Sequence, residues 1–92
     1  MTYDELLALA RDLRDQPLET VTGRMFTVGV YLDSLVFTPA SSGIGQSDGR
    51  KAAERFLARY NQTGSLRPSD YGDVTRNASY LVAVVRRAQE RG

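Results

Sequence analysis

Lys51, Arg55 and Arg59 recur at intervals of four, the spacing that lines side chains along one side of a helix. A row of ammonium and guanidinium groups on such a face can straddle a phosphate backbone, each group neutralising one anionic oxygen. Arg50 begins the same segment, and Arg76 stands at the head of a second helical pattern, so both join the candidate phosphate contacts. Glu54 falls off the stripe. The plainer reading of the same row is a solvated helix side beside a buried one.

Two further clusters have anion chemistry. Ser41-Ser42-Gly43, with Gly45, Ser47 and Gly49, offers free N–H groups and hydroxyl donors, the material of an anion nest. It does not match a P-loop, and no βαβ unit follows Gly43-Ile44-Gly45, so nucleotide binding is not expected. Thr75-Arg76-Asn77-Ala78-Ser79 crowds polar groups where a helix starts and its N–H groups favour an anion. The structural alternative is capping by Thr75, with Arg76 paired to Asp73. Among the tyrosines, Tyr31 falls on the strand face away from the expected core and is the candidate for stacking on a base.

The chain has no His and no Cys. Imidazole bases, Ser-His-Asp triads, thiolate nucleophiles and His- or thiolate-bound zinc are therefore excluded. Asp48 and Glu54 near Lys51 lack the strand-borne arrangement of a nuclease centre. Asp70 and Asp73 stand three apart, but their loop lacks the oxygen density of a calcium site. No catalytic, cofactor-binding or metal-ligating residue is assigned, no cofactor is expected, and the balance lies against an enzyme.

The elements that would position these groups fit one small domain of 92 residues with 41 % hydrophobic and 25 % charged residues. The formal net charge is +1 but is unevenly spread. Residues 1–45 hold three Arg against six acids, or −3, and residues 46–92 hold nine basic residues against five acids, or +4. No apolar run approaches a membrane span. The acidic opening, Met-Thr-Tyr-Asp-Glu, is unlike a secretion leader, so a cytoplasmic location is expected.

A first helix is expected over about 3–14, with Thr2 and Glu5 forming a capping box and Leu6, Leu7, Leu9, Ala10 and Leu13 its apolar face. Residues 18–24 read as a turn of helix or a short third strand. Residues 25–39 alternate as a hairpin, with Phe26, Val28, Val30, Leu32, Leu35 and Phe37 on one face. A turn centred on Asp33-Ser34 sets Leu32 opposite Leu35 and Val30 opposite Phe37. Residues 40–49 read as a flexible loop. A second helix follows over about 49–60, capped by Asp48 or Ser47, with Ala52, Ala53, Phe56, Leu57 and Tyr60 inward. Gly64 breaks the next loop, Pro68 opens a short helical turn, and a last helix runs over about 75–90 behind Thr75.

The resulting expectation is an α+β domain ordered α-β-β-α-(short α)-α, an antiparallel hairpin packed against helices. The expected function is a small nucleic-acid-binding accessory domain, with DNA or RNA as partner, contacting phosphates through Arg50, Lys51, Arg55, Arg59 and Arg76. The alternative is a homodimeric or protein-binding assembly module that uses the hairpin edge or the last helix. No membrane partner is expected.

Overall fold

In the computed structural model, which describes residues 1–91, the chain is a small α+β fold. Helix α1 (Tyr3–Leu13) leads into strands β1 (Leu18–Glu19), β2 (Met25–Tyr31), β3 (Ser34–Pro39) and β4 (Gln46–Asp48). Helix α2 (Arg50–Thr63), a 3-10 turn (Pro68–Tyr71) and helix α3 (Ala78–Arg91) follow. The strands form one antiparallel sheet in sequence order. Among the described residues, no helix is long and apolar enough to cross a membrane.

The α1 capping box forms in full. The Glu5 N–H donates to Thr2 Oγ1 at 3.2 Å and the Thr2 N–H to Glu5 Oε1 at 3.0 Å. The backbone N–H of Thr2 holds the Glu5 carboxyl below its usual range. Leu6, Ala10 and Leu13 then reach the core fully buried. Phe26, Val28, Leu35 and Phe37 meet them from one face of the sheet, and Ala53, Phe56 and Leu57 meet them from α2. Helix α3 lies deepest, with Leu81, Val82, Ala83, Val84 and Val85 all buried. The broad apolar face of the last helix is thus covered by the chain's own core.

The hairpin keeps its expected face and changes its register. Val30 pairs with Leu35 and Val28 with Phe37, and the turn is Leu32-Asp33. The shift is two residues, and side chains alternate with period two, so the inward set survives. The exception is Leu32, which moves from the core face to the hairpin tip and is 81 % exposed. Both turn residues have positive φ, +50° and +63°, the requirement of a mirror-image turn matched to strand twist. The Tyr3 hydroxyl donates to the Asp33 carbonyl at 2.6 Å and ties this strained tip to α1.

Other boundaries also differ. The sheet has four strands because residues 18–24 supply β1 and the expected 40–49 loop contains β4. Strand β4 pairs through its backbone with Leu35, Val36 and Phe37 despite its polar side chains. Helix α2 runs on to Thr63, where Gly64 at φ +66° closes it with an N–H to Tyr60 carbonyl bond of 2.7 Å. Its N-cap is Gly49, with no side-chain cap, so neither Asp48 nor Ser47 serves there. Helix α3 starts at Ala78, and Thr75 lies outside it.

The hairpin tip generates a stability test. Replacing Leu32 by Asn and Asp33 by Gly supplies residues that adopt positive φ at low cost. The double variant is expected to gain about 1 kcal/mol, read as a higher urea midpoint with an unchanged slope. A lower midpoint would contradict the turn assignment.

Candidate functional site

Asp48 ends β4 and is only 5 % exposed. Its Oδ1 accepts the Thr75 hydroxyl at 3.0 Å and the Asn77 side-chain amide at 3.2 Å. Thr75 Oγ1 in turn accepts the Asn77 backbone N–H at 3.0 Å. These residue types commonly cap helices, yet here they join the sheet to the approach to α3, 27 and 29 residues along the chain. With both its neighbours anchored inward, Arg76 is left exposed between them.

Arg24 is fixed from the other side. The Thr20 N–H donates to the Arg24 carbonyl at 2.9 Å, and the Arg24 N–H donates to Thr20 Oγ1 at 3.1 Å. Gly23, at φ +86°, permits the reversal between β1 and β2. Arg24 and Arg76 line one cleft of about 290 Å³ together with Thr22, Gln46, Ser79 and Tyr80. Gln46 also lines the two adjoining depressions. One contains Ser41 and Ser42, and the other contains Ser47, Gly49 and Ala52. Tyr80 forms part of the wall and stacks on Phe37, with ring centroids 5.3 Å apart. Gln46 joins the three depressions into one trench, lined by Arg24 and Arg76, by hydroxyl and amide groups and, on the Ser41–Ser42 side, by Met25, Pro39 and Ala40.

The stripe on α2 is divided. Arg59 forms a two-point ion pair with Asp73, with Nη2 to Oδ2 at 3.0 Å, and donates to the Asp70 carbonyl at 2.8 Å. Asp73 therefore pairs with Arg59 and not with Arg76. Asp70 takes the Ser65 hydroxyl, so Asp70 and Asp73 serve as local tethers of the 3-10 turn. Arg50 pairs with Glu54 at 3.1 Å and lies over the Tyr3 ring, 4.9 Å from its centroid. Lys51 and Arg55 are exposed. Among the described residues, Lys51, Arg55, Arg24 and Arg76 make no ion pair or side-chain hydrogen bond.

Arg24 is the addition that sequence reasoning misses. It is one of three arginines in the acidic half of the chain, and the β1–β2 reversal brings it to the cleft that Arg76 also lines. Tyr31 is 69 % exposed at the hairpin end and does not line the trench. Among the described residues, no group of three or more His, Cys, Asp or Glu side chains is placed to hold a metal ion. No protein-family model matches this chain, and comparison with curated proteins and with solved structures found no significant match.

Two outcomes follow from these contacts. Asp48→Ala leaves the buried Thr75 hydroxyl and Asn77 amide without their acceptor. The expected loss is about 2 kcal/mol in urea unfolding, and a loss below about 0.5 kcal/mol would remove Asp48 as the anchor. The hydrogen-bonded Arg59 guanidinium holds the Asp73 carboxyl below its ordinary value, and Asp73 in turn raises Arg59. This stabilisation is present above the unfolded carboxyl's pKa and is lost as pH falls through the lower folded value. Asp73→Asn should accordingly lie below the natural chain in urea midpoint at neutral pH and converge with it in acid. A gap independent of pH would contradict the ion-pair account.

Proposed function

We propose that this chain is a small nucleic-acid-binding domain that contacts phosphates through Arg24 and Arg76 in the trench, with Lys51 and Arg55 on α2 as flanking contacts. The observation that carries this reading is the convergence of two unpaired guanidinium groups from distant points of the sequence on one cleft with Gln46, Thr22 and Ser79. Guanidinium forks fit phosphate oxygens, and hydroxyl and amide donors fix the backbone's register. Arg50 and Arg59 act on this reading as supports, one beside Tyr3 and the other beside Asp73. The reading places the domain in the cytoplasm, where DNA and RNA are both available to it.

Assembly through a second copy is the other reading. The exposed Tyr31 and Leu32 at the hairpin tip favour it. The edges of the sheet do not, because β1 has two residues and β4 three, too short to template a stable strand pairing. The phosphate reading rests on groups that share one cleft and is preferred.

Fluorescence anisotropy with labelled single-stranded DNA, duplex DNA and RNA tests the proposal. Four phosphate contacts on a single strand predict an affinity loss of about 50-fold between about 50 and 200 mM salt. Removing Arg24 and Arg76 together should flatten the log–log salt slope by about 1.4. Absence of binding at low salt, with a stable dimer in light scattering, would transfer the assignment to the assembly module.

A further inference from the structure

The outward face of the hairpin strands carries an open depression of about 270 Å³. Strand alternation sends Phe26, Val28, Leu35 and Phe37 into the core and turns Thr27, Gly29, Tyr31, Val36 and Thr38 the other way. Gly29 pairs with Val36 and Thr27 with Thr38, so these residues form one patch. Gly29 keeps its floor flat, since a Cβ there would meet no atom within 4 Å. Tyr31 stands at the hairpin end of the patch and is 69 % exposed. Arg14 lines the depression, and its contact with Asp15, 3.7 Å between two well-exposed side chains, is a weak pair. On the β3 side the Gly45 backbone lies close over the sheet, where a Cβ would stand 2.9 Å from Val36 Cγ1. Arg14 and Tyr31 are exposed and the floor residues half-buried, so a ligand reaches all of them without displacing a hydrogen bond.

We infer that this outward face is a platform for single strands, on which an unpaired base stacks against Tyr31 above Gly29. The inference rests on the nucleic-acid reading and extends the path of the strand whose phosphates lie in the trench. An aromatic ring beside a flat floor suits the π-face of any base, so the platform is tolerant of sequence. The Arg14 guanidinium is placed to take the neighbouring phosphate in exchange for its weak contact with Asp15. The Thr27 and Thr38 hydroxyls offer hydrogen bonds to the sugar and phosphate oxygens. The Ser41–Ser42 arm of the trench includes Arg24, Met25 and Pro39, and Thr27 and Thr38 are the next outward residues along β2 and β3. The stretch from Arg24 to Tyr31 spans about 23 Å at the strand rise, so one strand continues from the trench across the platform. A duplex keeps its bases stacked on one another and has none to give to Tyr31.

The test uses the intact chain with oligo-dT of about ten nucleotides and with an abasic oligomer of the same length, which keeps the phosphates and lacks the bases. The natural chain is expected to bind oligo-dT about tenfold more tightly than the abasic strand. Tyr31→Ala should bring that ratio towards one by weakening oligo-dT alone, and Tyr31→Phe should keep it. Gly29→Ile sets a strand-favouring side chain in open space, so the fold is retained, and it should remove the ratio by filling the floor. Equal, salt-sensitive binding of both oligomers by the natural chain, or an unchanged ratio in Tyr31→Ala, would overturn the platform and leave the phosphate reading standing. A dimer in light scattering that Tyr31→Ala dissolves would give Tyr31 to assembly and overturn the platform as well. Failure of the natural chain to bind oligo-dT, the abasic strand, duplex DNA or RNA at low salt would overturn both readings.

Discussion

The Asp48 carboxyl group is the constraint on which the arrangement of this chain depends. It closes the edge strand, accepts from Thr75 and Asn77, and precedes the uncapped start of α2. One buried group thereby ties the sheet edge to the entry to α3, and α2 begins two residues after it. A polar side chain is tolerated in such a place only when its neighbours satisfy it. Oδ1 meets that condition with two donors, whereas Oδ2 does not. The same residue therefore anchors the fold through one oxygen and leaves the other buried without a partner.

The remaining structure presents that anchor in a fixed frame. The inward faces of β2 and β3 and the buried length of α3 give the sheet a firm backing. Phe26, Phe37 and Tyr80 form an aromatic cluster with centroid separations of 4.8 to 6.2 Å, and it lies directly beneath the trench wall. Arg24 and Arg76 are both held through their backbones or their immediate neighbours, so their side chains need no ion pair to be placed. Arg59, by contrast, takes its position from Asp73 and helps to fasten the 3-10 turn to α2. Cations of similar spacing thus take different roles according to whether an acid stands within reach.

What was legible in the sequence follows local physical signals. The α1 capping box and the alternation of β2 and β3 were readable because each is a short-range pattern with a strong preference. The hairpin register was not, because Leu32-Asp33 lacks the glycine and asparagine that mark a turn with positive φ. Strand β4 was hidden because Gln46-Ser47-Asp48 pairs only through its backbone and carries no apolar alternation. Thr75 and Asp48 read as helix caps because nothing nearby in sequence reveals a hydrogen bond across 27 residues. Arg24 carries no local signal, being one of three arginines in an acidic half, whereas Lys51, Arg55 and Arg59 share a periodicity that says nothing of the Asp73 carboxylate packed beside Arg59.

The most direct test of the account is an amide-resolved NMR titration of the natural chain with a short single-stranded DNA at low salt. The account predicts that the first and largest shifts fall on Arg24, Gln46, Arg76, Asn77 and Ser79, with smaller ones at Lys51 and Arg55. Shifts confined to the hairpin tip around Tyr31 and Leu32, or none at all, would contradict the assignment of the trench as the nucleic-acid interface.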